Sequence, residues 1–267
     1  MPIYQHRHLN LYYETFGQGP VALLFIHGLG GDGRTWKYQI DHFAPNYEIV
    51  TVDLFGHGRS SRDLDPEMAP RTDAEAIDAL ARNIIRKPYV AVGHSFASQI
   101  LPEIIKLAYF NLRAAVFVDC TYQGFPEIIE ARMEFARSML ALDDAQLKIE
   151  TEKWYRNLML DIKTPDDESL IFPSLLNCDY RWLFRSVGGC REFNRLYPPQ
   201  DTPDILPVFV MEADNGIGAD FQKSWVNHFK SAEYYLFENA YHFFFVSQQQ
   251  KFSQLLSEFL EKCRLTP

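Results

Sequence analysis

Tyr89-Val90-Ala91-Val92-Gly93-His94-Ser95-Phe96-Ala97 is the stretch on which the fold turns. An apolar run of strand character enters a G-x-S-x-A turn, and from Ser98 to Tyr109 apolar residues recur at helical spacing. Small residues at Gly93 and Ala97 let the backbone bend sharply, so the Ser95 hydroxyl projects beyond the strand end. The Phe96 amide, at a helix N-terminus, then points to the same place. An inert Gly/Ser turn would carry the same letters, and the buried strand in front of it is what gives the serine weight.

Working outward, Val21 to Ile26 is a second apolar strand, closed by His27-Gly28-Leu29-Gly30-Gly31. Those glycines free the backbone to aim an N–H at a developing oxyanion. No G-x-x-x-x-G-K-[ST] motif accompanies the loop, which argues against a phosphate cradle. His8 to Thr15 and Glu48 to Val52 also read as strands, and Thr35 to Phe43 as a helix. Asp53-Leu54-Phe55-Gly56-His57-Gly58-Arg59-Ser60 reads as a structural turn, so neither Asp53 nor His57 is assigned a catalytic part. Thr72-Asp73-Ala74-Glu75 has the form of a capping box opening a helix through Ile85, and Ala114 to Asp119 is a further strand. Repeated βα units imply an α/β fold with a parallel sheet.

From Cys120 to about Asp204 strand signals vanish and helical periodicity takes over. The expected organisation is a core of residues 1–119 and 205–267 with an inserted helical cap, three or four helices, over 120–204. Met133, Met139, Met159 and many aromatics in that stretch suggest a pocket with an apolar wall. Strands resume at Pro207 to Met211 and Tyr234 to Phe237, and an amphipathic helix runs from Gln248 to Lys262.

The chain has 267 residues, 47% of them hydrophobic, ample for a large core. Its net charge of −9 repels nucleic acid and anionic lipid surfaces. Cys120, Cys178, Cys190 and Cys263 match no metal knuckle or disulfide framework and read as reduced thiols. No apolar run reaches the ~18 residues of a membrane span, and Met1-Pro2-Ile3-Tyr4 opens no signal peptide, so a cytoplasmic protein is expected. His6 and His8 share a strand face but lack a third metal ligand, and His42 and His228 fall on polar helix faces.

A base for Ser95 must come from a loop beyond the last strand, and His242 qualifies. The competing reading is a histidine stacked in the Phe243-Phe244-Phe245 core. Between Tyr180 and Leu196, Arg181, Arg185, Arg191 and Arg195 face one acid, Glu192. Such a face is either solvated or a dock for an anionic substrate tail or an acidic carrier protein.

HGLGG, DLFGHGRS, GHSFA and a late NAYHF together resemble the α/β-hydrolase superfamily, most closely the small capped carboxylesterases, lactonases and carrier-protein methyl ester esterases. The resemblance covers the whole chain. It implies a mostly parallel sheet flanked by helices, Ser95 as nucleophile, His242 as base, and an oxyanion hole from the amides of Leu29 and Phe96. It further implies hydrolysis of a small-molecule ester, lactone or thioester with an apolar acyl part, through an acyl-enzyme and without cofactor or metal. Serine at position 95 separates the chain from dehalogenases and epoxide hydrolases, which carry Asp there. A cofactorless haloperoxidase-like activity and a non-turnover ligand receptor or scaffold on the same fold stay open. The third triad member departs from the pattern: relatives carry Gly and then Asp after the strand that begins at Pro207, where this chain has Ala213 and Gly216. Asp214 is the first choice for the acid, Asp119 the alternate, and Asp220 a third.

Overall fold

A computed structural model of the chain describes residues 2–107, 111–120, 126–189, 206–217, 223–229 and 232–266. Its frame is an eight-stranded sheet: β1 (Ile3–His6), β2 (Leu9–Phe16), β3 (Ala22–Ile26), β4 (Glu48–Asp53), β5 (Tyr89–His94), β6 (Leu112–Val118), β7 (Val208–Ala213) and β8 (Ala232–Phe237). The spatial order is β1-β2-β4-β3-β5-β6-β7-β8. β2 pairs antiparallel with β1 and β4, and from β4 to β8 all neighbours are parallel. The parallel strands therefore end at one edge, where the loops that follow them gather.

The period-2 alternation of side chains sorts the core into two layers. Leu24, Ile26, Ala91 and Phe117 face a layer with Ile77 and Leu80 of α2 (Ala69–Leu80) and Leu101 and Ile104 of α3 (Leu101–Leu107). Leu23, Phe25, Val90, Val92 and Val116 face the other, with Ile40 and Phe43 of α1 (Lys37–Phe43). Between β6 and β7 the described chain holds α4 (Pro126–Leu140), α5 (Asp144–Asn157), α6 (Pro165–Leu176) and α7 (Tyr180–Ser186). After β7 come α8 (Ser224–His228), α9 (Phe244–Ser247) and α10 (Gln249–Lys262). Phe252, Leu256, Phe259 and Leu260 form the helical stripe that α10 buries in the second layer.

Two local expectations are corrected. Thr72 does not open a helix: α2 begins at Ala69, behind a short turn whose start Asp65 caps by accepting the Glu67 amide, and the Thr72 hydroxyl donates to the Met68 carbonyl. Asp73 is instead wholly buried, and its Oδ1 accepts the Phe55 amide at 2.8 Å. β1 is a short edge strand with no buried residue that ends at His6, and His8 lies in the turn ahead of β2, so the two histidines do not share a strand face.

The 53–60 turn is structural, held by one carboxylate. Asp53 Oδ1 accepts the Gly33 amide and Oδ2 the Arg59 amide, both at 2.9 Å. A Cβ on Gly58, whose φ is +47°, would lie 2.2 Å from Asp53 Oδ2. The helical segment between β6 and β7 is fastened to these loops. Trp182 packs over Gly56 and edge-on to His57, and the Ser174 hydroxyl donates to Asp32 Oδ2 at 2.9 Å. No described helix is long and apolar enough to cross a membrane. Cys120, Cys178 and Cys263 are free thiols, and Cys190 lies outside the described residues.

Asp53→Ala strands two amides and is expected to lower stability by about 3 kcal/mol. A urea midpoint within error of wild type would show that the turn closes without it. Asp73 gives the opposite sign. Burial pushes its carboxyl well above the carboxylate range against the pull of the Phe55 amide, so the folded state keeps a proton that the unfolded chain releases from about pH 4. Its destabilising effect grows as pH rises from there to the folded pKa. Asp73→Asn, which keeps the acceptor, is expected to match wild type near pH 4 and to be at least as stable at pH 8.

Candidate active site

The G-x-S-x-A turn is built as tightly as its residues suggested. Ser95 sits at φ +53°, in the left-handed region that side chains other than glycine rarely occupy. A Cβ on Gly93 would lie 2.7 Å from Ala97 Cβ and 2.8 Å from Leu101 Cδ1. The small residues therefore bring α3 onto the end of β5. The loop after β3 closes from above: a Cβ on Gly28 would meet His94 Nδ1 at 2.7 Å and Ser95 Cβ at 2.9 Å. His27 links that loop to the next, its Nδ1–H donating to the Gly28 carbonyl at 2.7 Å while Nε2 accepts the Leu54 amide at 2.9 Å. Full burial lowers its pKa, consistent with the neutral ring that this bonding requires.

His242 follows β8, ahead of α9, and its ring is buried. Its Nδ1 lies 2.5 Å from Asp119 Oδ2, not against Asp214. Nδ1–H donates to the carboxylate, which leaves Nε2 with its lone pair. Asp119 stands just past β6 at φ +45° and is also buried. Its Oδ1 accepts the Ala213 amide at 3.1 Å and its Oδ2 the Ile217 amide at 3.2 Å. The reason lies at residue 216: a Cβ on Gly216 would fall 2.2 Å from Asp119 Oδ1. The residue that stands where the family pattern has its acid is thus the one whose missing side chain admits Asp119.

Asp214 faces the other way. Its carboxylate accepts the Asn239 amide at 2.7 Å, the Ala240 amide at 2.9 Å and the Asn215 side-chain amide at 2.8 Å. Partial burial pulls its pKa up, but the Ala240 and Asn239 amides outweigh that and hold it below the ordinary value. Asp214 braces the loop that carries His242. Asp220 lies outside the described residues.

His94 was quoted in the sequence only as part of the serine motif, yet it holds the other side of His242. Its Nε2–H donates to the His242 carbonyl at 2.9 Å, and the two rings lie 4.3 Å apart. Burial, and then the His242 charge, push its pKa well below the usual histidine value, so it serves as a neutral donor. The one signal for it was its place next to the serine.

Ser95, His242, Leu29 and Phe96 line one cavity of about 340 Å³. The Leu29 amide has no hydrogen-bond acceptor among the described residues, and the Phe96 amide lies in a first helical turn, where donors lack intrahelical partners. The remaining wall comes largely from the helices between β6 and β7: Phe135, Trp154, Leu158, Phe184 and Val187, with Arg132. It is apolar, but not through Met133, Met139 or Met159, which pack into the clusters behind it. Arg181 is occupied within the protein, bonded to Asp144 and to the Leu140 and Leu142 carbonyls, and Arg185 lies 3.6 Å from Asp65. Arg191 and Arg195 lie outside the described residues. His6 lies 3.9 Å from Glu75, and no group of His, Cys, Asp and Glu among the described residues is arranged to hold a metal ion.

An eight-stranded α/β sheet, a serine in a strained turn at a strand end and a buried histidine–carboxylate pair beside it define a hydrolase of α/β architecture. The chain belongs to the alpha/beta hydrolase family, whose model matches residues 23–255. It is 34% identical over 246 residues to Lipase LipV of Mycobacterium tuberculosis, covering 80% of this chain and 88% of that one. A shorter match, 34% over 70 residues and about a quarter of each chain, joins it to the pimeloyl-[acyl-carrier protein] methyl ester esterase of Vibrio campbellii. Among solved structures, a hydrolase from Pseudomonas aeruginosa superimposes with a TM-score of 0.81 at 16% identity over 97% of both chains. The enol-lactonase of Burkholderia xenovorans gives 0.74 at 17% identity over 97% of this chain and all of the other. At those identities the structural likeness concerns the fold.

Asp214→Ala, which removes the loop brace, is expected to lower stability by about 1–2 kcal/mol at neutral pH. Because the folded pKa is depressed, the carboxylate's contribution is present above about pH 4 and is lost as pH falls through the lowered value. Urea titrations at pH 7 and pH 3 should show the gap between variant and wild type shrinking at the lower pH. A gap independent of pH would deny the carboxylate this part.

Proposed function

We propose that the protein is a serine hydrolase of carboxylic esters, lactones or thioesters, with Ser95 as nucleophile, His242 as base, Asp119 as the orienting acid and the Leu29 and Phe96 amides as oxyanion donors. The observation that carries this reading is the shared cavity. Ser95, held at positive φ, and His242, its Nδ1 bound to a buried carboxylate, open onto the same largely apolar space. The ester activities named for several relatives agree with it. The helices between β6 and β7 act as a cap that supplies the acyl-binding wall.

In the first half-reaction His242 Nε2 takes the Ser95 proton as Oγ attacks the carbonyl carbon. The tetrahedral oxyanion is held by the two backbone amides, and the alcohol or thiol leaves with the proton returned by Nε2. Water then repeats the sequence on the acyl-enzyme, releasing the carboxylic acid and restoring Ser95. Asp119 keeps Nδ1 protonated and stabilises the imidazolium in both halves.

A fluorophosphonate is expected to label Ser95, and Ser95→Ala to lose roughly 10³-fold or more in kcat on p-nitrophenyl esters while folding normally. Asp119→Asn should lose up to ~10⁴-fold by favouring the wrong tautomer, and Asp214→Asn less than about threefold. Gly216→Ala, by crowding Asp119, should fall between them. An adduct on another residue, or equal losses for the two Asp variants, would sink the assignment.

A further inference from the structure

The cavity over Ser95 carries a cation that hydrolysis itself does not use. Arg132 lies on α4, one turn from Ile128, Ile129 and Ala136, and is half-buried against the cavity. Among the described residues no acid lines the cavity and Arg132 has no ion-pair partner. Its neighbours on the same helices differ. Arg137 lies 3.7 Å from Glu130, Arg156 pairs with Glu168 at 2.9 Å and Arg181 with Asp144 at 2.7 Å. In a chain with 35 acids against 26 lysines and arginines, a lone guanidinium facing an apolar space is the exception.

Two neutral groups in the same wall share that condition. Gln99 is 3% exposed with both side-chain amide atoms unpartnered, and the Tyr155 hydroxyl is buried without a partner. Both side chains border the cavity, but these polar atoms have no surface open to it, so Arg132 is the cation that an entering ligand meets. A guanidinium matches a carboxylate with two parallel N–H···O bonds. The apolar wall beside Arg132 fits a hydrocarbon spacer.

We propose that Arg132 selects esters bearing a free carboxylate separated from the scissile bond by an apolar spacer. This rests on the ester-hydrolase reading of Ser95 and His242. The carboxylate can belong to the acid half, as in a monoester of a dicarboxylic acid, or to the alcohol half, and the test separates the two.

Three substrates decide it: p-nitrophenyl hexanoate, mono-p-nitrophenyl adipate and 4-(hexanoyloxy)benzoate, each assayed after subtraction of uncatalysed hydrolysis. Arg132→Gln is expected to raise KM at least tenfold for one of the two carboxylate esters and to leave kcat/KM for the hexanoate within about twofold. The affected ester identifies the half that Arg132 reads. Arg132→Lys should recover part of the loss, and added salt should raise KM for that ester in wild type but not in Arg132→Gln. Equal change on all three substrates, or none on any, overturns the proposal. If wild type hydrolyses the hexanoate and is labelled at Ser95 in that case, the ester-hydrolase reading stands without it. If wild type hydrolyses none of the three and Ser95 takes no label, both fall.

Discussion

Where β3 and β5 end, the Gly28 backbone lies so close to Ser95 that a single methyl group would collide with the serine's own Cβ. Gly93 makes the equivalent approach to Ala97 and Leu101. These contacts set how far the first turn after β5 can sink toward the sheet, and hence where the Ser95 hydroxyl stands. They also force the left-handed backbone at Ser95, a strain of order 1–3 kcal/mol that the surrounding packing sustains. With the serine placed this way, the loop after β3 has one path across it, and Leu29 reaches the same cavity.

The histidine is fixed from three directions. Asp119 holds Nδ1, His94 holds the backbone carbonyl, and Asp214 holds the amides of Asn239 and Ala240 just ahead of it. Each bond comes from a different loop at the same edge of the sheet. The parallel topology is what makes this economical, because strands far apart in sequence deliver their last residues to neighbouring points.

The strands from β2 onward and the serine turn were legible because they rest on local signals, namely apolar runs closed by small residues. The acid was not. Asp119 and Asp214 each follow a parallel strand, and the choice between them depends on which loop leaves room beneath His242. That room is made by an absent side chain at Gly216, a contact nearly a hundred residues removed from Asp119 in sequence. Arg132 was equally hidden. Four arginines crowded into residues 181–195 stand out by number, but Arg181 is spent on the link between α4 and α5, while Arg132, set between Glu130 and Glu134 in sequence, lines the cavity. Charge counted along a chain says little until the partners are known. Thr72 failed for a local reason: the helix had already started behind Asp65.

Drawing the acid from the end of β6 has a consequence for the helical segment. Asp119 is followed at once by Cys120, whose thiol donates to the Gly93 carbonyl at 3.4 Å, and the chain from there leads into α4. The end of β6 thus holds His242 through Asp119 and touches the strand that leads into Ser95 through Cys120. A carboxylate reaching His242 from the loop after β7 would leave the end of β6 free of that bond. At residue 119 the left-handed backbone and the Ala213 and Ile217 amides leave the carboxylate little freedom to turn away from His242. The geometry that orients His242 therefore also fixes the last strand residues ahead of the helical segment at the edge of the site.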